Sequence, residues 1–536
     1  MGGRCALPRS REPLTRPLRL LEFPVPFCQA AGVRYEHLQP SPLGAHRGLE
    51  MRRNNWRLRP GDRVVRRPRQ RETAPVRIRT QDRRRRFALP SSSSALLTLA
   101  GGFAVLILAG TALLMLPFAA AGPESAGFVT ALFTATSAVC VTGLVVVSSG
   151  DYWSVFGQVI IAALMLMGGL GIMSAGIVVL AVLGKRVTLN QRLLVRETLG
   201  GEALGSAVRL VRYIICFALG AQLVTFLLLF VRLVFKYPAI EAFWQSLFHS
   251  VSAFNNAGFT IFPDSHSLSA FRSDPAVLWT IGLSILLGAM SYPVMNELAR
   301  RKGFTRWTLD TRLVVLGTLG LWATGAVTVL LFEVTNPLTL GGMSVGDKIS
   351  NGAFQAFTSR TAGFSSIDFS HVEAGTSYLY MMMMFVGGAS GSVAGGIKVN
   401  TAMVIIVATI AAVRGRPNVE FARREIAYSQ VSRALGVLVL GVIGVSLFII
   451  ALMVSERSNL EAGTFEFGDT MFETMSAFGT VGLSHGITPD LSTPGKLIIT
   501  LAMYVGRLGP LTIALGLALR QRRALYRYAE ERVRIG

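Results

Sequence analysis

The chain has 536 residues, 51% apolar and 15% charged, against about 25% charged in ordinary soluble domains. Its mean hydropathy is +0.49 and its formal charge +23. That composition argues against a soluble globular enzyme and leaves room for several apolar spans of about 20 residues. Cys5, Cys28, Cys140 and Cys216 form no CxxC pair and are too scattered for a disulfide framework.

Residues 1–95 hold 22 Arg, no Lys and 7 Asp and Glu, so +15 of the net charge sits there. Prolines interrupt this stretch and no period of 3.6 or 2 is sustained. Low apolar content with high net charge predicts a disordered cytoplasmic tail over 1–94. Arg83–Arg86, just before the first apolar run, reads as a topology signal or a patch for anionic lipid. Without a folded module, the tail offers nucleic acid only non-specific electrostatics, so no specific nucleic-acid partner is expected.

Apolar runs follow at 95–119, 155–183, 213–235, 276–298, 313–333, 378–412, 434–454 and 496–519. Their lengths predict eight membrane helices. Basic residues crowd the connections after every second run: Lys185 to Arg212, Arg300 to Arg312, Arg414 to Arg433, and Arg520 to Arg534. The connections within each pair carry Glu124, Asp151, Asp264, Asp274, Asp347, Asp368, Asp469 and Asp490 instead. The positive-inside rule then places both termini in the cytoplasm of a multi-pass cell-membrane protein.

Each outer connection contains a short semi-apolar stretch ending in glycine. Aligned, they read TSAVCVTGL (136–144), VSAFNNAGF (251–259), AFTSRTAGF (356–364) and MSAFGTVGL (475–483). Phe133, Phe248 and Phe472 stand ten residues before their glycine, and Phe354 nine before, which predicts a third short helix one residue tighter. Internal self-similarity at a near-fixed period indicates a repeated unit. The expected fold is all-α and integral to the membrane. Four tandem helix–pore helix–filter loop–helix repeats, at 95–183, 208–299, 311–412 and 434–520, surround a pseudo-fourfold pore, and a basic cytoplasmic C-terminus follows at 521–536.

Non-helical backbone at membrane depth is tolerated only beside protein or a water-filled path. Four short helices entering from outside would point their partially negative C-termini at the centre. The carbonyls that follow could replace a cation's hydration shell. The segments Val141-Thr142-Gly143, Asn256-Ala257-Gly258, Thr361-Ala362-Gly363 and Thr480-Val481-Gly482 contain no carboxylate. That suits a monovalent cation such as K⁺ better than Ca²⁺.

The sixth run is interrupted by GGASGSVAGGIK (387–398). Each interior glycine costs about 1 kcal/mol against Ala in a helix, so this stretch should form a loop beneath the third glycine segment. Gly387, Gly388, Ser390, Gly391, Gly395, Gly396 and Lys398 are candidate gate residues. Arg507 lies midway along the eighth run, where a charge is expensive and faces the interior with a partner. The carbonyls of 387–397 and the Glu473 carboxylate are the candidates.

These strings, with YVGRLGPLT (504–512), resemble the Trk/Ktr/HKT superfamily of potassium transporters over roughly 95–520, and most of all its Ktr-type membrane subunit. The resemblance implies potassium uptake, with K⁺ held at the carbonyls of the four segments just named. Gly143, where Na⁺-preferring plant relatives carry Ser, implies K⁺ preference. It further implies a homodimer in the bilayer, gated by a cytosolic nucleotide-binding ring. With no GxGxxG here, the nucleotide would belong to that separate chain, and no covalently bound cofactor is expected. Na⁺ dependence stays open, and a Trk-type proton- or sodium-coupled transporter is the alternative. The competing class is an intramembrane enzyme using His249 or His266, but HExxH and paired intramembrane aspartates are missing.

Overall fold

Uninterrupted runs of Leu, Val, Ile and Ala favour helices where water is scarce, because a helix satisfies its own backbone groups. The computed structural model describes residues 92–171, 207–263, 267–300 and 303–509, which are almost wholly helical. Nearly all of the expected tail, the basic segment 172–206 and residues 510–536 lie outside the described residues.

In chain order, α1 (Ser92–Leu114), α2 (Phe128–Cys140) and α3 (Val155–Leu170) pack on one another. Next come α4 (Ala207–Leu233), α5 (Ala239–Phe254), α6 (Pro275–Ala289) and α7 (Tyr292–Ala299). Then follow α8 (Leu309–Glu333), α9 (Val345–Thr358), α10 (Ala374–Met384) and α11 (Val399–Val413). The hairpin β1 (Glu420–Phe421) and β2 (Arg424–Glu425) precedes α12 (Tyr428–Ser455), α13 (Arg457–Glu461), α14 (Phe467–Gly479) and α15 (Thr493–Leu508).

Three described helices are long and apolar enough to cross a membrane: α4 over Arg212–Leu233, α8 over Leu309–Glu333 and α12 over Tyr428–Ser455. A fourth is reached if α6 and α7 count as one span, but they meet at 107°. The run 276–298 reads as a single helix in the sequence; the chain turns at Met290, which is extended, and restarts at Ser291 with Pro293 in the first turn of α7. Proline suits a helix start and not its interior.

Buried carboxylates tie helix ends together. Glu333, at the end of α8, accepts from the Glu373 N–H at 2.9 Å and from the Thr376 hydroxyl at 2.5 Å, both at the start of α10. Asn336 and Thr339 occupy its other oxygen, each at 2.8 Å. Glu456 does the same between α12 and α15, accepting from the Ser492 N–H at 3.2 Å and the Ser492 hydroxyl at 2.5 Å. An anion at a helix N-terminus is favoured by the free N–H groups and the dipole there.

The short helices α2, α5, α9 and α14 enter with exposed or half-buried first turns and end fully buried. Phe133, Phe248, Phe354 and Phe472 anchor them in the core. The core around α2, α3 and α15 gathers Trp153, Ile161 and Ile499. A second cluster joins α4, α5, α6 and α9 through Leu229, Ile281 and Phe364. A third joins α8, α10, α12 and α14 through Tyr380, Phe472 and Val481.

Candidate functional site

Each short helix is followed by backbone that most residues avoid. Val141, Asn256, Thr361 and Thr480 have φ of 57°, 56°, 79° and 52°. Two residues later Gly143, Gly258, Gly363 and Gly482 have φ of 94°, 71°, 72° and 96°. Left-handed φ is rare for β-branched Val and Thr and costs about 1–3 kcal/mol each, so it persists only where the surroundings enforce it.

That enforcement is visible. The Thr142, Ala257 and Val481 N–H groups each bond back to the carbonyl five residues earlier, at 2.8 Å, while Val141, Asn256 and Thr480 bond three residues back. This is the Schellman closure of a helix C-terminus. The third segment differs: Ala362 bonds to Thr358, four residues back, at 3.2 Å. Its helix has 14 residues against 13 in α2 and α14 and ends five residues before glycine, where those end three before, so it is not the tighter helix that the Phe354 spacing predicts. Hydroxyls pin the far side of each loop. Ser137 accepts from the Gly143 N–H and Ser476 from the Gly482 N–H, both at 3.0 Å. Ser252 donates to the Phe259 carbonyl at 2.8 Å and Thr358 to that of Phe364 at 2.6 Å.

The four loops form a closed ring. A Cβ added to Gly143 would fall 2.6 Å from the Ala257 carbonyl oxygen. One on Gly258 would fall 2.7 Å from that of Ala362, and one on Gly363 2.5 Å from that of Val481. One on Gly482 would strike the Thr142 oxygen, which returns the circuit to the first loop. Any side chain at these positions would collide with the next segment's backbone, in addition to the strain its φ imposes. Eleven of the twelve residues of the four triplets are buried, and Gly482 is half-buried.

The interruption between α10 and α11 is a loop pinched at its neck, where the Gly387 N–H donates to Ile397 at 2.8 Å and the Val399 N–H to Gly388 at 3.0 Å. Gly387 and Gly395 sit against the ring: added Cβ atoms would meet the methyl of Thr361 at 3.3 Å and the side chain of Thr480. Gly396, at φ 62°, faces the Gly479 carbonyl. The loop therefore touches the third segment and equally the fourth. It also covers the end of α6, whose Ala289 carbonyl accepts from the Ala389 N–H at 3.0 Å. Gly388 is pressed against that same carbonyl. Ser390 and Gly391 form an exposed tip and do not approach the ring; the Ser390 N–H is held by Asn400 at 3.0 Å.

Arg507 donates to the main-chain carbonyls of Val393, in this loop, and Gly168, near the end of α3. The expected carbonyl partner within 387–397 is thus present. The Glu473 carboxylate instead accepts from the Thr488 hydroxyl, and its second oxygen is unpaired. Lys398 donates to the Ala394 carbonyl, so a second cation lies in the loop.

Sequence reasoning missed two features. Gly168, Gly288 and Gly506 each lie against a carbonyl of the neighbouring short helix, at Val139, Phe254 and Phe478. These residues all stand four before a ring glycine, so one packing contact recurs three times. Arg360, beside Thr361, is a 2% exposed guanidinium whose bond to the Thr318 hydroxyl, at 3.4 Å, leaves Nε unpaired. His249 is buried and structural. Its Nδ1 lies 2.7 Å from the Gln245 carbonyl, its Nε2 accepts from the Ile261 N–H at 3.3 Å, and its ring stacks on Phe262. His266 lies outside the described residues.

Residues 88–524 match the family model TrkH, cation transport protein. The chain belongs to the TrkH family of cation transport proteins. This TrkH-family chain is 41% identical over 420 residues to the Ktr system potassium uptake protein B of Bacillus subtilis, covering 78% of the chain and 92% of that protein. It is 35% identical to the potassium/sodium uptake protein NtpJ of Enterococcus hirae, covering 82% and 96%. The crystal structure of the potassium transporter TrkH from Vibrio parahaemolyticus matches 80% of the chain and 86% of that one, with a TM-score of 0.60 at 18% identity, so the fold is TrkH-like. The resemblance carried by the glycine strings is borne out.

Proposed function

We propose that this chain takes up potassium across the cell membrane through the ring of glycine loops. The observation that carries the reading is the closed circuit Gly143–Gly258–Gly363–Gly482 at the C-termini of four buried short helices. Four negative dipole ends aimed at one place favour a cation there. A ring of main-chain carbonyls without carboxylates replaces the water of a dehydrated monovalent ion. The names of the relatives, potassium uptake protein B and potassium/sodium uptake protein, support K⁺ as the cargo.

On this reading the chain forms four helix–pore helix–loop–helix repeats, at 95–183, 208–299, 311–412 and 434–520. They make eight crossings with both termini in the cytoplasm, which the alternating basic loops support. The triplets from Val141 to Gly143, Asn256 to Gly258, Thr361 to Gly363 and Thr480 to Gly482 are the selectivity filter. The 387–398 loop and Arg507 are the gate. Lys398 and Arg507 place positive charge beside the loop under the ring, which raises the barrier to a cation until the loop moves. A homodimer and a separate cytosolic nucleotide-binding ring complete the system, in keeping with the "Ktr system" names of the relatives. Membership of a cation transport family favours a transporter over an intramembrane enzyme.

The test is K⁺ uptake in a bacterial strain lacking its own uptake systems, with external Na⁺ varied. Growth at low K⁺ with saturable K⁺ uptake is expected. A correctly inserted chain that supports none, alone or with a regulatory subunit, would refute the reading. Dependence of the rate on the proton gradient favours the coupled Trk-like alternative.

A further inference from the structure

A polar cavity of about 550 Å³ lies away from the glycine ring, between the end of α4 and the turn that leads into α6. Arg232, Lys236 and Arg272 line it with Ser269, Ser273 and one acid, Asp274. Asp274 is the buried member. Arg232 Nε stands 2.9 Å from its carboxylate and Lys236 Nζ 3.2 Å. Asp274 therefore compensates one of three cations, and the cavity keeps a charge of +2. Lys236 is also held 4.5 Å above the ring of Phe271. The Arg272 guanidinium is exposed and has no side-chain partner among the described residues, while its carbonyl is fixed by Asn351 at 2.7 Å.

Position narrows the ligand. The apolar stretch of α4 runs from Arg212 to Leu233, about 33 Å at 1.5 Å per residue, which matches a hydrocarbon core of about 30 Å. Arg232 and Lys236 then stand at headgroup level. Beside them Phe235 and Ile240 are each 80% exposed, and Val231 and Leu228 continue that apolar face along α4. Tyr237 lies at the same level, where amphipathic rings settle in membranes. A surplus of cations together with serine hydroxyls, near exposed apolar side chains at headgroup level, matches one chemistry: a phosphate group with acyl chains attached.

We propose that this cavity binds the phosphate of an anionic phospholipid headgroup, with Arg272 and Lys236 as its main cationic contacts and the acyl chains lying on Phe235 and Ile240. The proposal rests on the membrane-embedded reading given above. It assigns a site that the ion path does not use.

The test uses the full chain reconstituted in vesicles of phosphatidylglycerol and phosphatidylcholine in equal amounts, then released for native mass spectrometry. Wild type should retain phosphatidylglycerol preferentially. The preference should fall roughly fivefold in Arg272→Gln, the effect of about one near-surface charge, and further in Arg272→Gln with Lys236→Gln. Arg457→Gln, a charge removed from another exposed position, should keep it. Arg272 has no described side-chain partner, so its single variant keeps the test sound if the double variant folds poorly. Equal retention of the two lipids by wild type, or an unchanged preference in Arg272→Gln, overturns the proposal. So does a result in which inorganic phosphate, in phosphatidylcholine vesicles, shields Lys236 from an amine reagent while phosphatidylglycerol is not retained. K⁺ flux measured on the same vesicles separates the two readings: absent flux counts against the transport function, and lipid retention is scored independently.

Discussion

Arg507 of α15 and Val393 of the glycine-rich loop are joined by a hydrogen bond from guanidinium to main-chain carbonyl, and the same guanidinium reaches Gly168 near the end of α3. One side chain thus ties the loop to two helices distant in sequence. Hydrogen bonds from a charged donor contribute about 1.5–3 kcal/mol, so losing both should loosen the loop from the ring. Arg507→Ala, and separately a shortened 387–397 loop, should raise K⁺ flux severalfold in vesicles without a regulatory subunit. Unchanged or reduced flux in both folded variants would recast Arg507 as a brace that only supports the fold.

At the ring, Gly143→Ser and Gly258→Ser should each lower the K⁺/Na⁺ flux ratio by about tenfold, equivalent to roughly 1.4 kcal/mol. The added Cβ must push aside the Ala257 or Ala362 carbonyl. If the ring is the selectivity filter proposed above, a displaced carbonyl alters one quarter of the ion's ligands. Flux ratios equal to wild type in both variants would remove these glycines from the ion path.

Orientation is checked by labelling. In a background without native cysteines, Ser265→Cys should react with an impermeant maleimide from outside intact cells. Thr305→Cys should react only after permeabilisation. The reverse pattern would turn the short helices around and remove the dipole argument.

His485 gives a pH signature. Its Nδ1 faces Asp469 at 2.9 Å, its Nε2 faces the Ser377 hydroxyl at 3.2 Å, and its ring stacks on Phe472. Asp368 and Glu466 add further negative charge nearby. Burial lowers its pKa below the ordinary 6.5, and the Asp469 hydrogen bond and charge offset this only in part. The unfolded chain then binds the proton more readily. The stability contributed by neutral His485 is complete above about pH 6.5 and declines as pH falls toward the lower folded value. Thermal melts between pH 7.5 and 5.5 should show a decline that His485→Gln makes shallower. An identical slope in the variant would contradict this.

Much of the site is legible in the sequence because a chain that must turn through left-handed φ at fixed positions writes glycine there. Gly143, Gly258, Gly363 and Gly482 announce themselves, and the odd spacing of Phe354 marks the third segment as the one that differs. The loop of 387–398 is legible for the same reason, since five glycines cannot be a comfortable helix interior. The bend between α6 and α7 is not, because hydropathy averages across Met290 and Ser291 and only Pro293 hints at a restart. Partner choice is legible by half. Arg507 finds a carbonyl in the expected loop, yet its second acceptor, Gly168, is 339 residues away, and no local pattern links the two. Glu473 shows the limit of matching charges by sign: a neutral hydroxyl, Thr488, occupies it instead.

Residues 1–80 precede the first described helix, and their sequence carries no fold signal. A chain beginning at position 81 should therefore transport at the wild-type rate per inserted molecule. Loss of uptake with normal membrane abundance would assign the arginine-rich tail a part in transport.

The circuit of four glycines is built from a single polypeptide, so its quarters are free to differ. They do: Cys140, Asn255, Arg360 and Gly479 stand three residues before the four glycines. A ring assembled from four identical chains would suffer every substitution fourfold, and most changes near the axis would be all or nothing. Here one position is altered once, against three unaltered quarters. If that ring selects the ion, as proposed, its preference is adjustable in small increments, and a buried guanidinium such as Arg360 has to be accommodated on one flank only.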